Sequence, residues 1–245
     1  MNRGAIRDRR RQRWIERAER VRDEFGLVLL LVLTTYVLMS LLGDRGWPSV
    51  LICVVTSATS VIALTSSHVR HQFVRLAIVF SLLSVAMAAV AAISGALLWL
   101  NVSGIIQVLL LVAATGAVLL RVVTTAEVNS RTILGAISVY TVLGILFTYV
   151  FATIDRLQTG PFFEGVPHPQ PGDFLFFSYT TLTTTGYGDL VPGGQPGRLV
   201  TGLEMMAGQI FLVTLVAGLV ALWRPGEALR RRREARSQDT QAGAE

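Results

Sequence analysis

The chain has 245 residues, of which 52% are hydrophobic and 16% charged. A soluble domain carries about a quarter charged residues, and a disordered chain is poorer in apolar residues than this, so both classes are excluded and a membrane protein remains. The net charge of +6 rests on 22 basic residues, all of them arginine, with nine in residues 1–22 and five in 230–236. Arginines gathered at the two ends, with charge-free stretches between them, fit basic cytoplasmic ends and not a nucleic-acid surface. The single cysteine, Cys53, excludes an intrachain disulfide.

In chain order, residues 1–24 predict a basic cytoplasmic segment. Trp14, Ala18, Val21 and Phe25 recur there at helical spacing, which suits either an amphipathic helix on an anionic inner leaflet or a solvated arm that fixes topology. No secretory cleavage site follows the first apolar stretch. A membrane crossing needs about 20 apolar residues. The windows 25–43 and 48–67 satisfy this, the second opened by Trp47 and Pro48. From Leu76 to Leu120 no residue is charged; that window is too long for one crossing and predicts two, with a turn near Trp99, Asn101, Ser103 and Gly104. Residues 25–120 thus form a four-helix membrane unit, and 121–131 a cytoplasmic linker. A second unit, 132–223, holds a fifth span over 132–154 and a sixth over 199–223, before a basic cytoplasmic tail at 224–245. With both termini cytoplasmic, 19 of the 22 arginines lie inside and only Arg45, Arg156 and Arg198 outside, the bias that orients membrane proteins. The expected fold is an all-α membrane protein with six transmembrane helices.

Between the last two spans the uncharged window 174–188 is too short to cross and predicts a re-entrant segment. The loop before it, Asp155 to Gly172, contains Pro161, Pro167, Pro169 and Pro171 without apolar periodicity, an external loop of variable shape. Asp173 suits the first turn of a short helix, where its charge opposes the positive dipole end. Gly186 and Gly188 must end that helix. A chain whose successive carbonyls point the same way alternates left- and right-handed backbone, and glycine takes the left-handed state at little cost. Glycines at alternate positions therefore permit a row of oxygens facing one axis. Four symmetric copies would stack such rows into rings able to replace a cation's water shell, with the Thr184 hydroxyl adding a ring at the inner end.

The stretch TTLTTTGYGD, residues 180–189, resembles the selectivity-filter signature of potassium channels, and the resemblance extends from about Arg131 to Trp223: outer helix, re-entrant pore helix, filter, and an inner helix opened by Gly197-Arg198-Leu199-Val200. It implies potassium-selective conduction by a homotetramer in the cell membrane. The filter residues it implies are Thr184, Thr185, Gly186, Tyr187 and Gly188, with K+ held at the carbonyls of Thr184 to Tyr187 and Asp189 at the outer mouth. Thr185 stands where valine is commoner. Thr180 stands where some relatives carry a pore-helix glutamate, so that buried carboxyl is missing from this position.

Glu204 is the one charge within the sixth span and a functional candidate on that ground. It is expected behind the pore helix, accepting a hydrogen bond from a Thr or Tyr hydroxyl such as that of Tyr179; a permeation role facing the cavity is the alternative. Gly208 aligns with a gating hinge of the inner helix, and close helix packing is an equal alternative there and at Gly218. Residues 210–216 are expected to line the cavity. The fourth span, 103–120, has no arginine repeat, so the six-span plan resembles voltage-gated channels without their sensor chemistry. Asn101-Val102-Ser103 matches a glycosylation triplet by chance, and His68, His71 and His168 lack ligand spacing. No catalytic constellation is present, so no enzyme and no cofactor beyond permeant K+ is expected. The expected partners are three further copies and membrane lipids, anionic at the basic ends; no nucleic acid is expected. The short tail is expected to leave no room for a cytoplasmic ligand-binding domain. Two rivals remain: a potassium-translocating transporter component, which would need four such loops in one chain, and a non-conducting subunit or sensor that keeps the pore fold.

Overall fold

The computed structural model describes residues 26–43, 46–67, 69–124 and 130–222. The basic segment 1–24, Phe25, Arg45, His68 and the tail from Trp223 onward lie outside the described residues. Within them the chain forms α1 (Gly26–Leu41), α2 (Trp47–Ser66), α3 (His71–Ser94), α4 (Leu97–Thr124), α5 (Ser130–Leu157), α6 (Pro171–Leu182) and α7 (Gln195–Leu222). Five of these, α2, α3, α4, α5 and α7, are long and apolar enough to cross a membrane. The described part of α1 is apolar but shorter than a crossing requires.

Local chemistry sets the boundaries. Gly46, at φ 72°, turns the chain into α2, whose first turn holds Pro48, where the missing N–H costs nothing. The uncharged window 76–120 breaks earlier than expected: α3 ends at Ser94, Gly95 takes φ 68° as its left-handed cap, and α4 begins at Leu97. Ser94 secures that corner, donating to Val90 O at 2.7 Å and accepting from Ala96 N at 3.3 Å. Trp99, Asn101, Ser103 and Gly104 therefore lie inside α4 and not in a turn, and the Asn101 triplet is helical. A glycine that can sit at positive φ outweighed the polar residues downstream. At its other end α4 continues to Thr124, shortening the expected linker; residues 125–129 of it are outside the described part.

α2, α3 and α4 pack on one another, α4 on α5, and α5, α6 and α7 on one another. Where α2, α3 and α4 meet, small polar residues bridge the helices, as membrane helices commonly do. Ser84 and Ser103 share a hydroxyl contact at 3.0 Å, and each also reaches the other's carbonyl. Gln107 Nε2 donates to Ser57 Oγ at 2.8 Å and to Cys53 O and Sγ at 3.2 and 3.0 Å. One apolar core joins Val28 and Val32 of α1, Ile52 of α2, Leu110 and Leu111 of α4, Val139 and Ile145 of α5 and Leu175 of α6. α1 also lies against the short helix α6: the Tyr36 ring meets Tyr179 edge-on at 5.2 Å, and an added Cβ at Gly172 would stand 3.6 Å from Ser40 O. The helix before the glycine-rich segment is thus held from both the first and the second half of the chain.

Candidate functional site

The start of α6 is fixed by its own residues. Pro171 sits in the first turn, and Asp173 Oδ2 accepts the Gln170 N–H at 2.7 Å. The acid thus satisfies one backbone donor and faces the positive end of the dipole. Asp173→Ala should lower stability by about 1 kcal/mol, read as a lower unfolding midpoint of the purified protein, with Asp173→Asn recovering part of the loss.

The preceding loop is less free than its prolines suggest. Phe162 and Phe163 are fully buried and join Phe151 of α5 with Phe174 and Phe177 of α6 in one aromatic cluster, with ring centroids 4.8 to 6.1 Å apart. Backbone bonds tie the loop to the segment that follows the glycine-rich stretch: Glu164 N donates to Val191 O and Gly193 N to Phe162 O, each at 2.9 Å. Asp155, which is still within α5, accepts the Phe162 N–H at 3.0 Å. Arg198 Nη2 and Glu164 Oε1 pair at 2.9 Å across the same junction. The expected variable loop is instead a packed wall between α5 and α6; two consecutive phenylalanines were the signal for it.

Beyond α6 the chain folds back on the helix end. The Thr184 N–H donates to Thr181 O at 2.9 Å, and the Thr185 and Gly186 N–H groups share Thr180 O at 2.8 and 3.1 Å. Thr180 thereby braces the following segment through its carbonyl, while its hydroxyl donates within the helix to Phe177 O at 3.0 Å. From there positive φ alternates along the chain: Thr184 at 58°, Gly186 at 52° and Gly188 at 79°, with Thr185 and Tyr187 between them in the ordinary half of the map. Thr184 is the one non-glycine residue at positive φ among the described residues, a position a β-branched side chain occupies against steric cost. Residues 183–189 are all exposed in the single chain. Tyr187 lies with its ring nearly parallel to Phe176, centroids 5.9 Å apart, and Thr183 and Thr185 share a hydroxyl contact at 2.9 Å. Asp189 follows, its Oδ1 accepting the Leu190 N–H.

Glu204 is fully buried on the α7 face that meets α6. Its partner is Ser178, whose Oγ stands 2.5 Å from Glu204 Oε1 and 2.8 Å from Gly144 O of α5. Tyr179, the hydroxyl expected there, donates instead to Thr141 O at 2.7 Å. The expectation missed by one residue, which on a helix is a rotation of about 100°. Two glycines allow these helices to touch. An added Cβ at Gly144 would fall 2.7 Å from the Tyr179 ring, and one at Gly208 would fall 2.5 Å from Leu182 O, so Gly208 stands directly behind the C-terminus of α6. Tyr140 of α5 donates to that same Leu182 O at 3.0 Å. Gly218 has nothing within 4 Å of an added Cβ, and Ile210, Val213 and Val216 of α7 are exposed in the single chain.

Residues 159–224, which run from the α5–α6 loop through α6 and the glycine-rich segment along α7, match a family model described as an ion channel. A curated relative, the cyclic nucleotide-gated potassium channel of Rhizobium etli, is 36% identical over 95 residues, which are 38% of this chain and 24% of the relative. The chain thus spans about a quarter of the length of the relative it matches. No solved structure matches the chain significantly. The family match falls on the helix–loop–helix unit just described, so that unit is similar to ion channels, and with five described helices long and apolar enough to cross a membrane the chain is a multi-pass membrane protein.

Proposed function

We propose that four copies of this chain surround one pore and conduct K+ passively down its gradient, with selectivity set by residues 184–188. The observation that carries this reading is the alternation of positive φ at Thr184, Gly186 and Gly188 in an exposed strip directly after α6. In this reading the carbonyls of Thr184, Thr185, Gly186 and Tyr187 face one axis, and four such strips make rings of oxygens that stand in for the hydration shell. Asp189 then sits at the outer mouth and adds negative potential to it. Assembly is supported by α7, the least buried of the five long spans; its apolar residues Leu199, Met206 and Ile210 are exposed in the single chain. In the proposed topology α1 completes a sixth crossing, both termini are cytoplasmic, and the unit 132–223 forms the pore beside the unit 25–120.

The direct test is ion flux into liposomes holding the purified full-length protein, with K+ and Na+ gradients compared. Potassium flux well above sodium flux and blocked by Ba2+ supports the reading; equal flux of both ions removes the selectivity, and no flux from assembled tetramers removes conduction. A second expected outcome concerns gating. Each charge crossing 100 mV is worth about 2.3 kcal/mol, and α4 has no charged residue between Leu97 and Leu120. Open probability should therefore change only weakly with voltage in planar bilayers, and a gating charge of several elementary units would contradict this.

A further inference from the structure

An apolar groove of about 190 Å³ runs along the seam of α2, α3 and α4, lined by Leu64, Phe73, Phe80, Ile106, Leu109 and Ala113 among others. Every side chain that lines it is apolar, and no residue of the glycine-rich segment reaches it. Leu64 and Ile106 are buried and form its floor, whereas Phe73, Phe80 and Leu109 are exposed along its rim. The groove therefore opens outward. Because α2, α3 and α4 are each long and apolar enough to cross a membrane, what it opens to is hydrocarbon. From Phe73 to Phe80 it follows α3 for about 10 Å, at 1.5 Å per residue. An apolar cavity of about 150 Å³ takes a six-carbon ring, so the volume here suits about seven or eight carbons of one chain.

One end of the groove meets a basic edge. Arg70 is the cap residue of α3, and its carbonyl accepts the Phe73 N–H at 2.9 Å. Phe73, Ala77 and Phe80 share one face of α3 by their helical spacing, and side chains on a helix lean toward its N-terminus, here toward Arg70. Arg75 lies in the next turn, and Arg121 lies in the last turn of α4, which runs back along α3 to the same end. No aspartate or glutamate occurs between Asp44 and Glu127, so α2, α3 and α4 supply no acid to this edge. Arg70 and Arg75 are exposed, and neither forms an ion pair among the described residues. Arginines at one end suffice to orient a membrane protein, but orientation does not require a hydrocarbon groove that starts beside one of them. A zwitterionic lipid would fill the groove without neutralising the edge, and a soluble anion would neutralise the edge without filling the groove. We infer that the groove is a binding site for an anionic phospholipid, its phosphate at Arg70 and one acyl chain between Phe73 and Phe80 of α3 and Ile106 and Ala113 of α4. Arg75 and Arg121 add positive potential to the head-group end.

The inference is independent of what the pore conducts, and its test reads lipid binding and no ion flux. The full-length protein, delipidated in detergent, is titrated with phosphatidylglycerol or with phosphatidylcholine of the same acyl chains, and the lipids retained per chain are counted by native mass spectrometry. Phosphatidylglycerol should fill one saturable site per chain, and Arg70→Gln should weaken it about fivefold, the worth of one arginine at an anionic head group, while phosphatidylcholine is unchanged. Ala113→Phe puts a ring into the groove from an exposed position and should remove the site for both lipids. Both variants are checked for helix content, and Ala113→Phe carries the test if Arg70→Gln does not fold. Replacing the five arginines of residues 230–236 by glutamine should leave the site intact. Equal retention of the two lipids by the native protein means unselective hydrocarbon contact and overturns the site, as does phosphatidylglycerol retention that Arg70→Gln and Ala113→Phe leave unchanged. Retention lost with the 230–236 arginines places the lipid at the basic tail, and no retained lipid at all means that protein fills the groove; either result overturns the site as well.

Discussion

Gly186→Ala is expected to abolish potassium-selective flux while the helices stay assembled. Gly186 sits at φ 52°, and an L-residue in that left-handed region costs about 1–2 kcal/mol. Nothing lies within 4 Å of the added Cβ inside one chain, so the objection is to the backbone and not to crowding by a neighbour in the same copy. In the proposed tetramer the cost enters four times, about 4–8 kcal/mol in all, and the strip relieves it by rotating peptide groups out of alignment. Oxygens that leave the ring no longer replace water around K+. The measurement is the liposome flux ratio of K+ to Na+, with circular dichroism and tetramer size as controls. Near-normal selectivity in this variant would mean that the alternation at 184, 186 and 188 does not set the filter. Thr184 supplies a comparison of opposite sign: it already occupies φ 58°, so Thr184→Gly relieves strain while removing a hydroxyl.

The sequence made some of this visible and hid the rest for identifiable reasons. Charge-free windows marked α2, α3 and α5, and a window with the single acid Glu204 marked α7, because a crossing helix cannot carry charge cheaply into lipid. Gly186 and Gly188 announced the alternating backbone because few residues other than glycine take positive φ routinely; that Thr184 joins the series could not be read, since threonine normally avoids that region. The corner between α3 and α4 was misplaced because no charge punctuates 76–120, and Gly95 inside an apolar run looks like any packing glycine until its φ is known. The burial of Phe162 and Phe163 was hidden by four prolines that correctly signalled a loop but said nothing of what the loop covers. Contacts between helices were least legible. Whether Ser178 or Tyr179 faces Glu204 depends on the rotation of α6 about its axis, which α1, α5 and α7 set together through Tyr36, Gly144 and Gly208. The groove between α2, α3 and α4 joins Leu64 to Ala113, about 50 positions apart in the chain, a separation no local pattern spans.

Glu204→Gln should leave folding and flux close to those of the native protein, whereas Glu204→Leu should lower stability by about 1–3 kcal/mol and loosen α6. The reason is a count of protons. Ser178 has one hydroxyl proton and two oxygens in reach, Glu204 Oε1 at 2.5 Å and Gly144 O at 2.8 Å. Both contacts are hydrogen bonds only if Glu204 carries a proton and donates it to Ser178 Oγ, leaving the serine O–H for Gly144 O. A neutral acid also explains how a fully buried side chain in a membrane helix tolerates an Oε2 with no partner, since an unpaired ionised carboxylate there would cost far more. The chain of bonds from α7 through α6 to α5 then fixes the rotation of the helix whose last-turn carbonyls, Thr180 O and Thr181 O, hold the start of the glycine-rich segment. Glutamine, with its amide N–H toward Ser178, repeats the donor; leucine removes it and leaves Ser178 Oγ as a buried acceptor without one. A double-mutant cycle with Ser178→Ala isolates the contact, and the combined loss should fall short of the sum by about 0.5–3 kcal/mol. Additive losses, or a Gln variant as damaged as the Leu variant, would show that Glu204 acts elsewhere, with an ionised carboxylate.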